Sequence, residues 1–305
     1  MRHSGSGRRE TINEGRRTMA EGRALLGKPV ARALNEQTLE RADAFAVKYG
    51  RKPRLAVVTV DDPAGESYLR TIRRTAGKVG CDVEEHQASP GISKDEYGEL
   101  VRGLNGDDFV DGILLQTPFP EGISSGFAGN VLDASKDIDG ITPHQAGLLF
   151  RNSRRALVPS TARAAMEMLD YYKIGLEGSE VVIIGRSLIA GKPAGLLALG
   201  RNATVTWCHS KTRSLPAVAK RADVLFVAMG RGKFVDDRFV KPGATVIDIG
   251  INVDEAGQLC GDVDTSKVIS IAAAYTPVPG GVGPVTAACL YANLYDAAVM
   301  KVKRQ

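Results

Sequence analysis

Residues 180–193 read Glu180-Val-Val-Ile-Ile184-Gly185-Arg186-Ser187-Leu-Ile-Ala190-Gly191-Lys-Pro193, and this stretch decides the fold. Four β-branched apolar residues after Glu180 make a buried strand. Two glycines then bracket a short loop, and a helical segment opens at Gly191. A strand, a tight glycine loop and a helix N-terminus bring unpaired backbone N–H groups together, which is the makings of an anion site. The spacing is not Gly-x-Gly-x-x-Gly, so the loop alone is equally consistent with a plain strand-to-helix connection.

The chain that follows adds weight to the anion reading. A second strand, Ala203–Trp207, runs into His209-Ser210-Lys211-Thr212-Arg213. Units that bind NAD place an acidic residue about 20 positions beyond the glycine loop, on the ribose hydroxyls. Here that strand end has no carboxylate. Its cationic and hydroxyl side chains, with Arg186 on the first loop, suit the extra phosphate of NADP; a solvated polar turn is the bland alternative. Further strands are expected over Asp223–Ala228 and Ala244–Ile249, with helical segments starting near Gly191 and Leu215. Strands alternating with helices imply a parallel sheet.

Towards the N-terminus, a helix is expected from Thr161 to Tyr172. Before it, Leu55–Val60 (LAVVTV) reads as a buried strand and Ser67–Val79 as a helix. A strand over Asp82–His86, a helix over Lys94–Leu104 and a strand over Gly112–Leu115 complete the pattern. The fold class is therefore α/β in two domains: an N-terminal α/β domain and a C-terminal Rossmann-type domain. The expected boundaries are 19–158 plus 285–305 for the first and 159–284 for the second. The last helix, about Val285–Lys301, is expected to pack back on the first domain.

Bulk properties agree with this. At 305 residues there is room for two domains, and 43% hydrophobic with 25% charged residues is ordinary globular composition. No apolar run reaches the roughly 18 residues of a membrane span. Cys81, Cys208, Cys260 and Cys289 are scattered, which disfavours a disulfide framework or zinc site and fits a reducing cytoplasm. Of the net charge of +5, residues 1–18 hold +3 through Arg2, Arg8, Arg9, Arg16 and Arg17 against Glu10 and Glu14, so the other 287 carry +2. A nucleic-acid surface would place that charge on folded elements, so no nucleic-acid partner is expected. Residues 1–18 lack the apolar core of a secretory signal. They read as a disordered leader, with Met19 an alternative start and a transit peptide the minority reading.

Several segments together are recognisable. GRSLIAGKP is similar to a G-x-S-x-x-V-G-x-P loop, with Ala190 for the valine. CHSKT, VIDIGIN and TPVPGGVGPVTAACLYAN follow it. With them the chain resembles the methylene-tetrahydrofolate dehydrogenase/cyclohydrolase family, from about Gly27 to the last helix. The resemblance implies a folate-binding catalytic first domain and NADP as cofactor. It assigns cofactor contacts to Gly185, Arg186, Ser187, Gly191, His209, Ser210, Ile251 and Gly283. It brings Pro279, Gly280 and Gly281 to the substrate and nicotinamide, where glycines permit close backbone approach; a tight turn before the last helix would use the same glycines. It also implies a homodimer through the cofactor domains.

Three segments resemble the folate site. Tyr68 ends a stretch like D-x-P-A-S-x-x-Y, read here as Asp61-Asp-Pro-Ala-Gly-Glu-Ser-Tyr68, and by resemblance its ring stacks on folate. Gln116 follows the strand DGILL in a segment like Q-L-P-L-P. Lys136-Asp-Ile-Asp-Gly140 resembles K-D-V-D-G, whose second acid, here Asp139, is expected to accept two parallel N–H donors from the pterin edge. Taken alone, a helix tyrosine is more often half-buried core and Asp-x-Asp-Gly a solvated turn. No calcium-loop ligand set follows, and no metal is expected.

One residue departs from the pattern. The family has Y-x-x-x-K, with the lysine associated with the cyclohydrolase step, and the lysine position here is Ile72. Positions i and i+4 share a helix face, whereas Arg73 and Arg74 are rotated away by about 100° and 200°. Gly65 for serine, Thr117 for leucine, and PSTARA (Pro159–Ala164) for P-C-T-P-x-G depart too. Hydride transfer needs mainly alignment, but hydrolysis of the methenyl cation needs a titratable group. The expectation is an NADP-dependent dehydrogenase with weak or absent cyclohydrolase activity. A fully bifunctional enzyme and a non-catalytic NADP- or folate-binding protein are the alternatives.

Overall fold

The computed structural model describes residues 21–60 and 63–303. The leader over 1–18, Met19 and the Asp61-Asp62 pair lie outside the described residues.

In chain order the elements are β1 (Arg23–Ala24), α1 (Gly27–Tyr49), β2 (Arg54–Val60), α2 (Pro63–Val79), β3 (Asp82–Ala88), α3 (Lys94–Gly106), β4 (Gly112–Leu115), α4 (Ser125–Val131), α5 (Pro143–Phe150) and α6 (Ser160–Tyr171). The second half continues with β5 (Glu180–Ile184), α7 (Gly191–Leu199), β6 (Thr204–Cys208), α8 (Leu215–Ala219), β7 (Val224–Val227), β8 (Thr245–Asp248), β9 (Asn252–Val253), β10 (Leu259–Cys260), α9 (Thr265–Val268), β11 (Ala274–Tyr275) and α10 (Gly283–Val302).

Two parallel sheets carry the architecture. The first has three strands in the order β3-β2-β4. Its central strand is buried on both faces, which is why it reads as a continuous apolar run. Leu55 and Val57 face one core with Ile72, Leu290 and Tyr291, while Ala56 and Val58 face another with Tyr97 and Val101. The second sheet has six strands in the order β1-β11-β8-β7-β5-β6, every pairing parallel. Alternation divides β5 in the same way: Val181 and Ile183 pack with α6 and α7, Val182 and Ile184 with Phe239 and Ala219. The two sheets make the α/β, two-domain fold that the sequence implies.

Two features join the halves. Helix α10 contributes Leu290, Tyr291, Leu294 and Ala297 to the core of the first sheet. Its other face gives Val285, Ala288, Cys289 and Ala292 to the core of the second. The chain also enters through the second sheet: Arg23 and Ala24 pair with Ala274 and Tyr275 before α1 crosses to the first. That edge strand is not anticipated from the sequence, because two residues carry no periodicity.

Candidate active site between the sheets

Strand β5 lies between β6 and β7, so the chain leaves it in one direction and returns on the other side. Ligands in open α/β sheets bind where such a reversal occurs, beyond the carboxyl ends of the strands. Ile184 is in register with Cys208 and Val227, and Val227 with Asp248. The segments that follow, Gly185–Gly191, His209–Arg213, Ala228 and Ile249–Asn252, therefore emerge along one edge.

The glycine loop fits close approach. Gly185 has φ +140°, and a Cβ there would stand 2.1 Å from the Ala228 carbonyl oxygen. A Cβ on Gly191 would lie 2.5 Å from the Gly185 oxygen. The Ser187 hydroxyl accepts from the N–H groups of Ala190 and Gly191, each at 3.2 Å, so it caps α7 from within the loop. Arg186 is exposed, and among the described residues no hydrogen bond or ion pair engages it. The Lys211 N–H lies 3.2 Å from His209 Nδ1, which leaves Nε2 to carry the hydrogen of a neutral ring. Ser210 is exposed beside it. A glycine-only backbone bend, a guanidinium unengaged among the described residues and the exposed Ser210 hydroxyl on one sheet edge fit a phosphorylated dinucleotide. Ile251 is 64% exposed on the same edge, near Gly283.

On the first sheet's side a cavity of about 670 Å³ opens towards this edge. Tyr68, Gln116 and Asp139 all line it. Gln116 is 6% exposed; its Nε2 donates to the Gly65 carbonyl at 2.6 Å, while its Oε1 is buried with no partner among the described residues. An orphaned acceptor of this kind costs stability unless a ligand satisfies it. Asp139 keeps only part of its surface in contact with solvent at the cavity wall, and protein encloses its carboxyl. Burial pushes this group up to about 6, against the opposing effect of hydrogen bonds from Ser160. The Tyr68 phenol is also raised, first by burial and then by the Asp139 charge.

Asp139 is held by a junction. Asn293, on α10, donates through Nδ2 to the carbonyls of Ile138 at 2.7 Å and Val158 at 2.8 Å. Its Oδ1 accepts from Arg163 Nη1 at 2.6 Å. One amide thus ties the segment before Asp139 to the segment before Ser160.

Ile72 is placed differently from the expectation that it faces the site. It is fully buried with Leu69, Ala76, Leu290 and Tyr291, and is not among the cavity-lining residues. The Tyr291 hydroxyl donates to its carbonyl at 2.9 Å. The face shared with Tyr68 turns into the core one helical turn on, so an isoleucine there is a packing residue. Arg73 is turned outward to Glu85 at 2.5 Å and Glu66 at 3.0 Å. Pro279, Gly280 and Gly281 also lie off this cavity. They follow β11 on the six-stranded sheet's side, where Gly280 has φ +104° and its carbonyl accepts from the Gly27 N–H at 2.8 Å. Among the described residues no cluster of three His, Cys, Asp or Glu stands together, and no helix is long and apolar enough to cross a membrane.

Sequence reasoning missed the far wall of the cavity: Phe119, Ile141, Ala146, Leu188 and Ile189. Leu188 and Ile189 come from the glycine loop and are 65% and 43% exposed. Two apolar residues in a loop otherwise built for an anion were the signal available.

A parallel-sheet cofactor edge facing a separate substrate cavity defines an α/β, dinucleotide-dependent enzyme of two domains. Residues 25–139 match the catalytic domain, and residues 159–302 the NAD(P)-binding domain, of tetrahydrofolate dehydrogenase/cyclohydrolase. The chain belongs to this family. It is 39% identical over 282 residues to the bifunctional protein FolD of Clostridioides difficile, covering 92% of this chain and 98% of that one. The bifunctional FolD enzyme of Campylobacter jejuni superposes with a TM-score of 0.88 at 35% identity, over 91% of this chain and 99% of that one. The Trypanosoma brucei dehydrogenase–cyclohydrolase, solved with NADP and an inhibitor, gives 0.88 at 31% identity, over 93% and 100%.

Proposed function

We propose that the protein oxidises 5,10-methylenetetrahydrofolate to the methenyl form with NADP, and that hydrolysis of the methenyl product is weak or absent. Family membership and the glycine-loop edge support the dehydrogenase. NADP, when bound, supplies the hydride acceptor. Gly185, Ser187 and Gly191 shape the loop that faces it, Arg186 and Ser210 offer cation and hydroxyl to its additional phosphate, and His209 borders them. Ile251, Gly280, Gly281 and Gly283 flank the nicotinamide end. Gln116 Oε1 and Asp139 accept from the donor edge of the pterin, and Tyr68 stacks on its ring.

The observation that carries the loss of hydrolysis is the lining of the cavity. Among the described residues around it none is basic, and the lysine position of the family is a core isoleucine. A lysine moves protons near a cationic ligand because its pKa falls readily; isoleucine cannot. The value of about 6 for Asp139 favours one second reading, in which that carboxylate assists water and the enzyme stays bifunctional.

The test follows NADPH and methenyl absorbance separately. Methenyl compound should accumulate in step with NADPH and decay at the buffer rate. Hydrolysis well above the buffer rate would remove the proposal, since assistance of this kind contributes about 10²–10⁴-fold. Ile72→Lys should restore only part of it, with a lower melting temperature, because the ammonium must leave a closed core to reach the cavity. The homodimer is part of the same proposal: β6 is one of the two edge strands of the six-stranded sheet, with Trp207 37% exposed on it. Light scattering should give about twice the 32.5 kDa chain mass; a monomer at micromolar concentration would refute it.

A further inference from the structure

Asp139 has two carboxylate oxygens, and the structure uses them unequally. Oδ1 accepts both from the Ser160 backbone N–H, at 3.2 Å, and from the Ser160 hydroxyl. A carboxylate oxygen offers about two lone-pair sites, so Oδ1 is filled. Among the described residues no donor is on Oδ2. Ser160 itself is 2% exposed and opens α6, immediately beyond the Val158 carbonyl that Asn293 clamps.

We propose that Ser160 is a positioning residue: it commits one oxygen of Asp139 and leaves a single anionic acceptor, Oδ2, to the cavity that is also lined by Gln116, whose Oε1 has no partner among the described residues. This rests on the folate reading for the ligand's identity, but the hold on the carboxylate does not. The ligand class that fits has two separate donor groups, one for each acceptor. The parallel pair on one carboxylate that the resemblance implies is not available, because Ser160 has taken half of it.

Ser160 also governs the charge state of the acceptor. Its two hydrogen bonds favour the carboxylate, while burial and the nearby Asp137 disfavour it. The other titratable groups around the site are Tyr68 from α2, itself raised, and Cys289 from α10, raised by burial. Arg163 shares α6 with Ser160 but is turned to Asn293 and to Asp296 at 3.2 Å. Among the described residues no cation therefore replaces Ser160 if it is removed.

The experiment titrates the Asp139 carboxyl by carbon NMR in the full-length, ligand-free protein, with Asp139→Asn identifying the signal. The wild-type midpoint should lie near 6. Ser160→Ala should raise it by about one to two pH units, the worth of a hydrogen bond to a charged group. Ser160→Cys, a weak donor of nearly the same size, should fall between and serves if the alanine variant does not fold. A midpoint in either variant equal to wild type overturns the proposal. A second arm measures tetrahydrofolate affinity by calorimetry across pH. The pH at which binding weakens should move with the midpoint, while binding well below both midpoints stays equal. A shifted midpoint with no folate binding in any form would leave the hold on Asp139 standing and remove the folate reading instead.

Discussion

Among the described residues Arg186 has no partner, and that is its significance. A guanidinium on a glycine loop, exposed and unengaged, keeps all five donors for a ligand. Arg186→Ala should weaken NADP far more than NAD, by roughly ten- to a hundredfold, the loss of a charge-assisted bond of about 1.5–3 kcal/mol. Equal losses in fluorescence titrations of the two cofactors would show that it does not read the phosphate. Tyr68, Gln116 and Asp139 were legible from the sequence through short motifs, and they do converge on one cavity. Ser160 was visible only as a departure from a pattern. Nothing in PSTARA tells which carboxylate its hydroxyl meets, since Asp139 is 21 positions away and only the fold closes that distance.

Elements with strong periodicity or continuous apolar runs were legible nearly to the residue: β4 and β5 fall where the sequence places them, and α3 and α6 within two residues. Helix α1 was not read, although it is 23 residues long. Its buried stripe of Val30, Ala31, Leu34, Thr38, Ala42 and Phe45 is narrow, includes a threonine, and is interrupted by charged positions. Helices α4 and α5 were hidden because seven or eight residues with glycines hold too few turns for a period to show. The turn from β5 into α7 is tightly constrained. Gly185→Ala would need both a left-handed φ and room where the Ala228 oxygen stands at 2.1 Å. The strand end must shift, so the variant should lose NADP binding and several degrees of melting temperature. A variant with wild-type Kd for NADP would show that the loop does not border the cofactor.

At the scale of the molecule, the two sheets share one helix and one junction. Asn293→Ala would strip donors from the Ile138 and Val158 carbonyls and leave Arg163 without its amide partner. Each abandoned buried group costs about 1–3 kcal/mol, so a loss of roughly 2–4 kcal/mol is expected, about 3–6 °C in a chain of this size. The KM for folate should rise with it, because Asp139 follows Ile138. Calorimetry showing an unchanged melting temperature would mean that the junction is not what holds the segments.

The reach of α10 bears on how the chain comes off the ribosome. The hydroxyl that closes over Ile72 belongs to a residue 219 positions later, and the same helix seals both cores. Until that segment emerges, the first half of the protein has made its strands but has no wall over Leu55, Val57 and Ile72. A nascent chain stalled before residue 283 would therefore expose apolar surface in both halves at once and depend on chaperones to keep it from association.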